Sequence, residues 1–108
     1  MKPYRPSRSP CPVGRASRVV GDRWVLLILR EALLGVDRFD AFAARLGVSR
    51  ATLTTRLTLM VEAGVLRREP ADAKYARYPL TEAGRALGPT VAALGAWGEV
   101  WLPEVKDA

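Results

Sequence analysis

Between Ser49 and Arg56 the chain places side chains suited to binding. Ser49, Thr52 and Thr55 carry hydroxyls, Arg50 and Arg56 carry guanidinium groups, and Ala51 offers a methyl. At the 100° step of a helix, Leu53, Leu57, Met60 and Val61 form one apolar stripe. Ala51, Thr52, Thr55, Thr58 and Leu59 then face away from it, with Arg56 at its edge and Arg50 on its angle but in the first turn. On such a helix, hydroxyls near the N-terminus donate to phosphates, arginine reaches guanine edges or phosphates, and Ala51 and Thr55 meet thymine methyls. A second basic group follows at Arg67, Arg68, Lys74 and Arg77, candidate phosphate contacts, with an arginine suited to entering the minor groove. The bland alternatives are that Arg50 and Arg56 only solvate the flanks of their helix, and that the later group only protects a hairpin edge by charge.

Composition narrows the chemistry. In 108 residues there are 17 Lys plus Arg against 11 Asp plus Glu, a net charge of +6, one Cys and no His, and the sequence also contains neither Asn nor Gln. Without His the usual general base and commonest metal ligand are missing. A single Cys assembles neither a zinc site nor an internal disulfide, so an enzyme, a metal and a cofactor are not expected. The carboxylates, such as Asp37, Asp40 and Glu62, are scattered rather than paired. Without Asn or Gln the usual bidentate adenine reader is absent, so direct readout falls to Arg on guanine, hydroxyls, methyl contacts and DNA shape, and G·C pairs and thymine methyls should dominate an operator. The positive excess lies in residues 1–23 and 49–78, with 24–48 neutral and 79–108 acidic. That suggests a polyanion partner, although arginine richness also follows from a GC-rich genome.

These side chains need elements to hold them. The length suits one domain with a modest core, for which help from a partner subunit is unsurprising. The longest apolar run, Trp24–Leu29, is too short to span a bilayer, and the first residues have no apolar segment like a signal peptide's, so a soluble, cytoplasmic protein is expected. Residues 1–10 read as a flexible basic arm, 11–102 as the folded domain and 103–108 as a tail. A short first helix starts at Pro12 with Val13, Ala16, Val19 and Val20 on one face, and Gly21 stops it. Asp22 caps a central buried helix ending at Gly35, and Asp40 caps a third over Ala41–Leu46, with Phe42 and Leu46 facing the core. Arg38-Phe39 makes at most a scrap of strand. Gly47-Val48-Ser49 is then the turn of a helix-turn-helix, with Ser49 capping a fourth helix that runs from Arg50 to Ala63. Val65–Arg68 and Tyr75–Tyr78 read as two strands around the turn 69–74. Thr81 caps a last helical region, broken near Gly88-Pro89 and continuing to about Leu102. The fold class is mainly α with a small β-hairpin wing, a winged helix-turn-helix.

With those elements in order, the sequence resembles the HxlR family of bacterial winged-helix transcription regulators. The resemblance rests on Cys11-Pro12-Val13, Gly21-Asp22-Arg23-Trp24, Leu27-Ile28-Leu29-Arg30-Glu31, Arg38-Phe39, Ser49 with Leu53-Thr54 and Arg56-Leu57, Glu62-Ala63-Gly64, Tyr78 with Leu80-Thr81-Glu82 and Gly84-Arg85, Pro89 and Trp97. It implies a homodimer binding double-stranded operator DNA through helix-turn-helix and wing, commonly as a repressor and sometimes as an activator. The wing is about two residues shorter than is common in the family and lacks the usual paired prolines. At Ala51 many members carry lysine or another polar residue.

The last helix carries a second kind of signal. Thr90, Ala93, Leu94, Trp97 and Trp101 make one stripe, Val91, Gly95, Gly98 and Leu102 much of another, and Glu99 is the only charge between Thr90 and Leu102. With the first helix, this surface makes Val13, Val20, Leu94, Trp97 and Trp101 candidates for a dimer interface; the alternative is that both tryptophans close the monomer's core. A two-fold axis would set two recognition helices ~34 Å apart. Cys11 stands at a helix N-terminus with Arg8 and Arg15 near it in sequence, where a thiolate gains from the helix dipole and positive charge. Some family members sense oxidants or electrophiles with a cysteine here; the alternative is a buried Cys that only packs the first helix. The rival function is a winged-helix module that binds protein and not DNA.

Overall fold

A computed structural model describes residues 4–70 and 74–106. The first three residues of the expected arm, the wing turn at 71–73 and the last two residues of the tail lie outside the described residues. Six helices follow in order among those residues: α1 (Pro12–Val20), α2 (Arg23–Leu33), α3 (Phe39–Leu46), α4 (Arg50–Glu62), α5 (Glu82–Arg85) and α6 (Gly88–Trp101).

The caps set the starts. Pro12 opens α1, with Cys11 Sγ accepting from the Gly14 amide at 3.4 Å. Asp22 caps α2 through the amides of Trp24 and Val25, Ser49 caps α4 through Thr52, and Thr81 caps α5 through Gly84. The start of α3 departs from expectation. It begins at Phe39 with Arg38 in the cap position and no side-chain cap bond, so Asp40 lies inside the first turn. Its charge suits that end of the helix dipole, but its oxygen goes to Arg50 and not to an amide.

α2 is central and packs against α1, α3, α4 and α6. Val25, Ile28 and Leu29 of α2, Phe42 of α3, Leu53, Leu57 and Met60 of α4 and Leu66 beyond it are completely covered or nearly so. Leu59 corrects the single-stripe reading of α4, because it is buried and not turned outward. The chain reverses at Gly64, held at φ +81°, and the amides of Val65 and Leu66 return to the Met60 carbonyl.

The wing is a hairpin of bridges, not of two continuous strands. Leu66 pairs with Leu80 and Glu69 with Arg77, both antiparallel, so the second side reaches past the expected end at Tyr78. Arg38 pairs with Arg77 and supplies the scrap of strand expected there. Within the segment read as a flexible arm, Tyr4 packs on the core cluster and its amide donates to Glu62 Oε2 at 3.3 Å, while Arg5, Pro6, Arg8 and Pro10 are exposed.

Candidate nucleic-acid interface

The turn between α3 and α4 is built by three residues with separate tasks. Gly47 takes φ +63°, a conformation costly for any residue with a Cβ, and ends α3; Val48 is buried and anchors the turn; Ser49 caps α4. On α4 the exposed residues are Arg50, Ala51, Thr54, Thr58 and, at its far end, Glu62, with Thr52 and Thr55 half-buried. Thr54 is an outward residue that the sequence reading did not select, although it lies one turn from both Ala51 and Thr58. The hydroxyls of Thr54, Thr55 and Thr58 donate to the carbonyls of Arg50, Thr52 and Thr54 at 2.8–2.9 Å. The Thr54 and Thr58 oxygens keep lone pairs to accept from a base amino group or water, whereas that of Thr55 already accepts from Arg56 Nη1 at 3.2 Å.

The basic residues divide by what holds them. Arg56 turns back to the start of α2, with Nε and Nη2 each 3.2 Å from Asp22 Oδ2, and both side chains are about two-thirds or more buried. Arg77 reaches Asp37 at 2.6 Å, and the Tyr78 amide donates to the Asp37 carbonyl at 2.7 Å, so this pair ties the wing to the α2–α3 connection. Arg56 and Arg77 thus join elements to one another, a role that their proposed DNA contacts did not anticipate. Arg50 is exposed; it pairs with Asp40 at 3.0 Å and lies 4.5 Å above the Phe39 ring. On the wing, Arg67 meets Glu69 at 2.7 Å, Arg68 donates to the Tyr78 hydroxyl at 3.3 Å and Lys74 lies 5.5 Å from the Tyr75 ring centre.

Two further surfaces were singled out from sequence. Val13, Leu94, Trp97, Val100, Trp101 and Leu102 are between 49% and 76% exposed, which overturns the alternative that the tryptophans close the monomer core. Val20, the remaining interface candidate, is half-buried. Cys11 is a free, exposed thiol, which overturns the buried-packing alternative: the N-cap position holds its side chain outside the helix rather than against α2. The buried Glu31 was missed. It accepts from Arg45 at 3.1 Å and lies 3.5 Å from Arg30, binding α2 to α3; a lone carboxylate in an almost wholly apolar helix was its signal.

The profile of the HxlR-like helix-turn-helix family matches residues 19–106. The chain belongs to this family of transcription regulators. Among HxlR-like relatives it is 50% identical over 93 residues to Rv3095 of Mycobacterium tuberculosis, an uncharacterised helix-turn-helix-type regulator, covering 84% of this chain and 59% of that protein. The chain therefore spans about three fifths of that relative's length. Of solved structures, PA1607, a candidate transcription factor, superposes with a TM-score of 0.84 at 38% identity, covering 94% of this chain and 73% of that one. The redox regulator HypR in its oxidised form gives a TM-score of 0.74 at 29% identity, covering 91% of this chain and all of the other. The winged-helix architecture is thus common to this HxlR-like chain and its structural neighbours. Among the described residues no helix is long and apolar enough to cross a membrane.

Proposed function

We propose that this HxlR-like protein binds double-stranded DNA as a homodimer, placing α4 of each protomer in the major groove of a palindromic operator and acting as a repressor. The observation that carries the reading is the exposed row of Arg50, Ala51, Thr54 and Thr58 on α4, begun by Ser49, with Lys74 of the wing lining the same cleft as Arg50 and Thr54. It combines phosphate-binding and base-reading chemistry on one convex element. The exposed apolar face of α6 supports association of two copies through Leu94, Trp97 and Trp101, with Val13 and Val20 of α1 beside it. The exposed thiol of Cys11, together with likeness to a redox regulator, supports a DNA affinity that responds to oxidants or electrophiles.

Footprinting on DNA from upstream of the protein's own gene tests this. Two protected half-sites one helical turn apart are expected, with G·C pairs and thymine methyls as the essential positions. Oxidant should change the affinity of the wild type but not that of Cys11→Ser. Protection of a single unpaired site, or adenine amino groups as the dominant determinants, contradicts the operator reading. An equal response of both proteins to oxidant contradicts the role of Cys11.

A further inference from the structure

Arg38, Arg50 and Lys74 come from three separate parts of the chain and line one cleft of about 460 Å³ between the start of α4 and the wing, walled by Tyr75 and Tyr78. Among the described residues that line it, Asp40 is the only acid, and its carboxylate lies 3.0 Å from Arg50 Nη1. This pair differs from the others that hold the domain together. The Asp22 carboxylate also caps α2, Asp37 anchors the wing, and Glu31 is buried, whereas Asp40 caps nothing and its side chain is 82% exposed. A pair so open to water contributes little to folding. Its carboxylate occupies the position, relative to the Arg50 guanidinium, that a phosphate oxygen of a ligand would take.

We propose that Asp40 is an internal stand-in for a DNA backbone phosphate. In the free protein it holds Arg50 over the Phe39 ring, pointing into the cleft. When duplex DNA docks, a backbone phosphate enters the cleft, Arg50 exchanges Asp40 for it, and Arg38 and Lys74 close on the same phosphodiester segment. This rests on the DNA-binding reading given above. Asp40 thereby lowers affinity for any phosphate chain by a similar factor, and it keeps Arg50 orientated in the absence of DNA.

The test is Asp40→Asn, which preserves size and removes the charge, compared with Glu104→Gln, the same charge change on the exposed C-terminal segment. Fluorescence anisotropy with the protein's own upstream duplex and with an unrelated duplex, over a series of salt concentrations, gives affinity and salt slope. Asp40→Asn should bind both duplexes about two- to fivefold more tightly. Because Arg50 ends on the same phosphate in both proteins, its salt slope should change by much less than the about 0.9 that an added phosphate contact brings. Glu104→Gln should do much less, and in an Arg50→Ala background the gain from Asp40→Asn should disappear. Equal effects of the two neutralisations, or a gain that survives Arg50→Ala, overturn the proposal while leaving DNA binding intact. Failure of the wild type to bind either duplex at low salt removes the DNA reading itself and this proposal with it. Melting temperature checks each fold, and Asp40→Ser serves in place of Asp40→Asn if that variant misfolds.

Discussion

Asp22 holds two elements at once, and its two oxygens can be tested separately. Oδ1 accepts from the amides of Trp24 at 2.8 Å and Val25 at 3.0 Å, while Oδ2 faces Arg56 in the middle of α4. Asp22→Ala removes both functions. Loss of the cap costs about 1 kcal/mol, up to about 2. The ion pair, with side chains 33% and 26% exposed, lies between the 0.2–1 kcal/mol of open pairs and the 3–5 kcal/mol of breaking buried ones, so about 1–2 kcal/mol is reasonable. The sum is roughly 2–4 kcal/mol, a large part of the ~5–15 kcal/mol that stabilises a domain. Asp22→Asn keeps an amide-accepting oxygen and loses the charge, so it should lose only about 1–2 kcal/mol. Urea unfolding at one fixed protein concentration measures both, the concentration being held because association shifts apparent stability. Arg56→Ala completes a double-mutant cycle, in which Asp22→Asn and Arg56→Ala should couple by about 1 kcal/mol. Equal losses for Asp22→Ala and Asp22→Asn would refute the cap, and strict additivity of Asp22→Asn with Arg56→Ala would refute the pair.

Two other substitutions probe the frame around the site. At Gly84 a methyl group would run into the Val65 carbonyl oxygen, the same oxygen that accepts from Thr81, so Gly84→Ala should cost about 1–3 kcal/mol in the same unfolding assay; a neutral result would show that α5 is not seated so closely. Trp97 leaves 55% of its surface uncovered, about 140 Å² of the ~250 Å² a large aromatic side chain offers, or roughly 3 kcal/mol per protomer if a partner covers it. Sedimentation should find that Trp97→Ala dissociates at least about 100-fold more readily than the wild type, with little change in the monomer's secondary structure, and unchanged association would remove α6 from the interface.

Much of the fold was legible because it is punctuated by local chemistry. Asp22, Ser49 and Thr81 cap helices by bonds to amides two or three residues on, and Gly35, Gly47 and Gly64 take the positive φ that ends α2, α3 and the turn after α4. The central place of α2 followed from an apolar surface too wide for one neighbour. What escaped was set by distant partners. Asp40 has the composition of a cap, but α3 begins earlier and its carboxylate finds Arg50 instead. Leu59 lies off the stripe that helical angle assigns to the core, yet it belongs to the same buried cluster. Arg56 and Arg77 lie where a DNA-facing arginine would be expected, yet their partners Asp22 and Asp37 stand 34 and 40 residues away in sequence. Helical angle assigns a face to a side chain but not a counter-ion.

The claim at the centre is that the outer face of α4 and the wing together bind the phosphates and base edges of duplex DNA. Its most direct measurement is the salt dependence of wild-type binding to an upstream duplex, repeated with Arg67→Ala and with Thr54→Ala. A dimer that neutralises about 6–10 phosphates should lose roughly 10³–10⁵ in affinity between 50 and 200 mM salt. Arg67→Ala should flatten that slope by about 0.9 per protomer and weaken own and unrelated duplexes alike. Thr54→Ala should leave the slope unchanged and weaken only the protein's own duplex. A salt-independent affinity, or slopes and preferences untouched by both substitutions, would contradict the account.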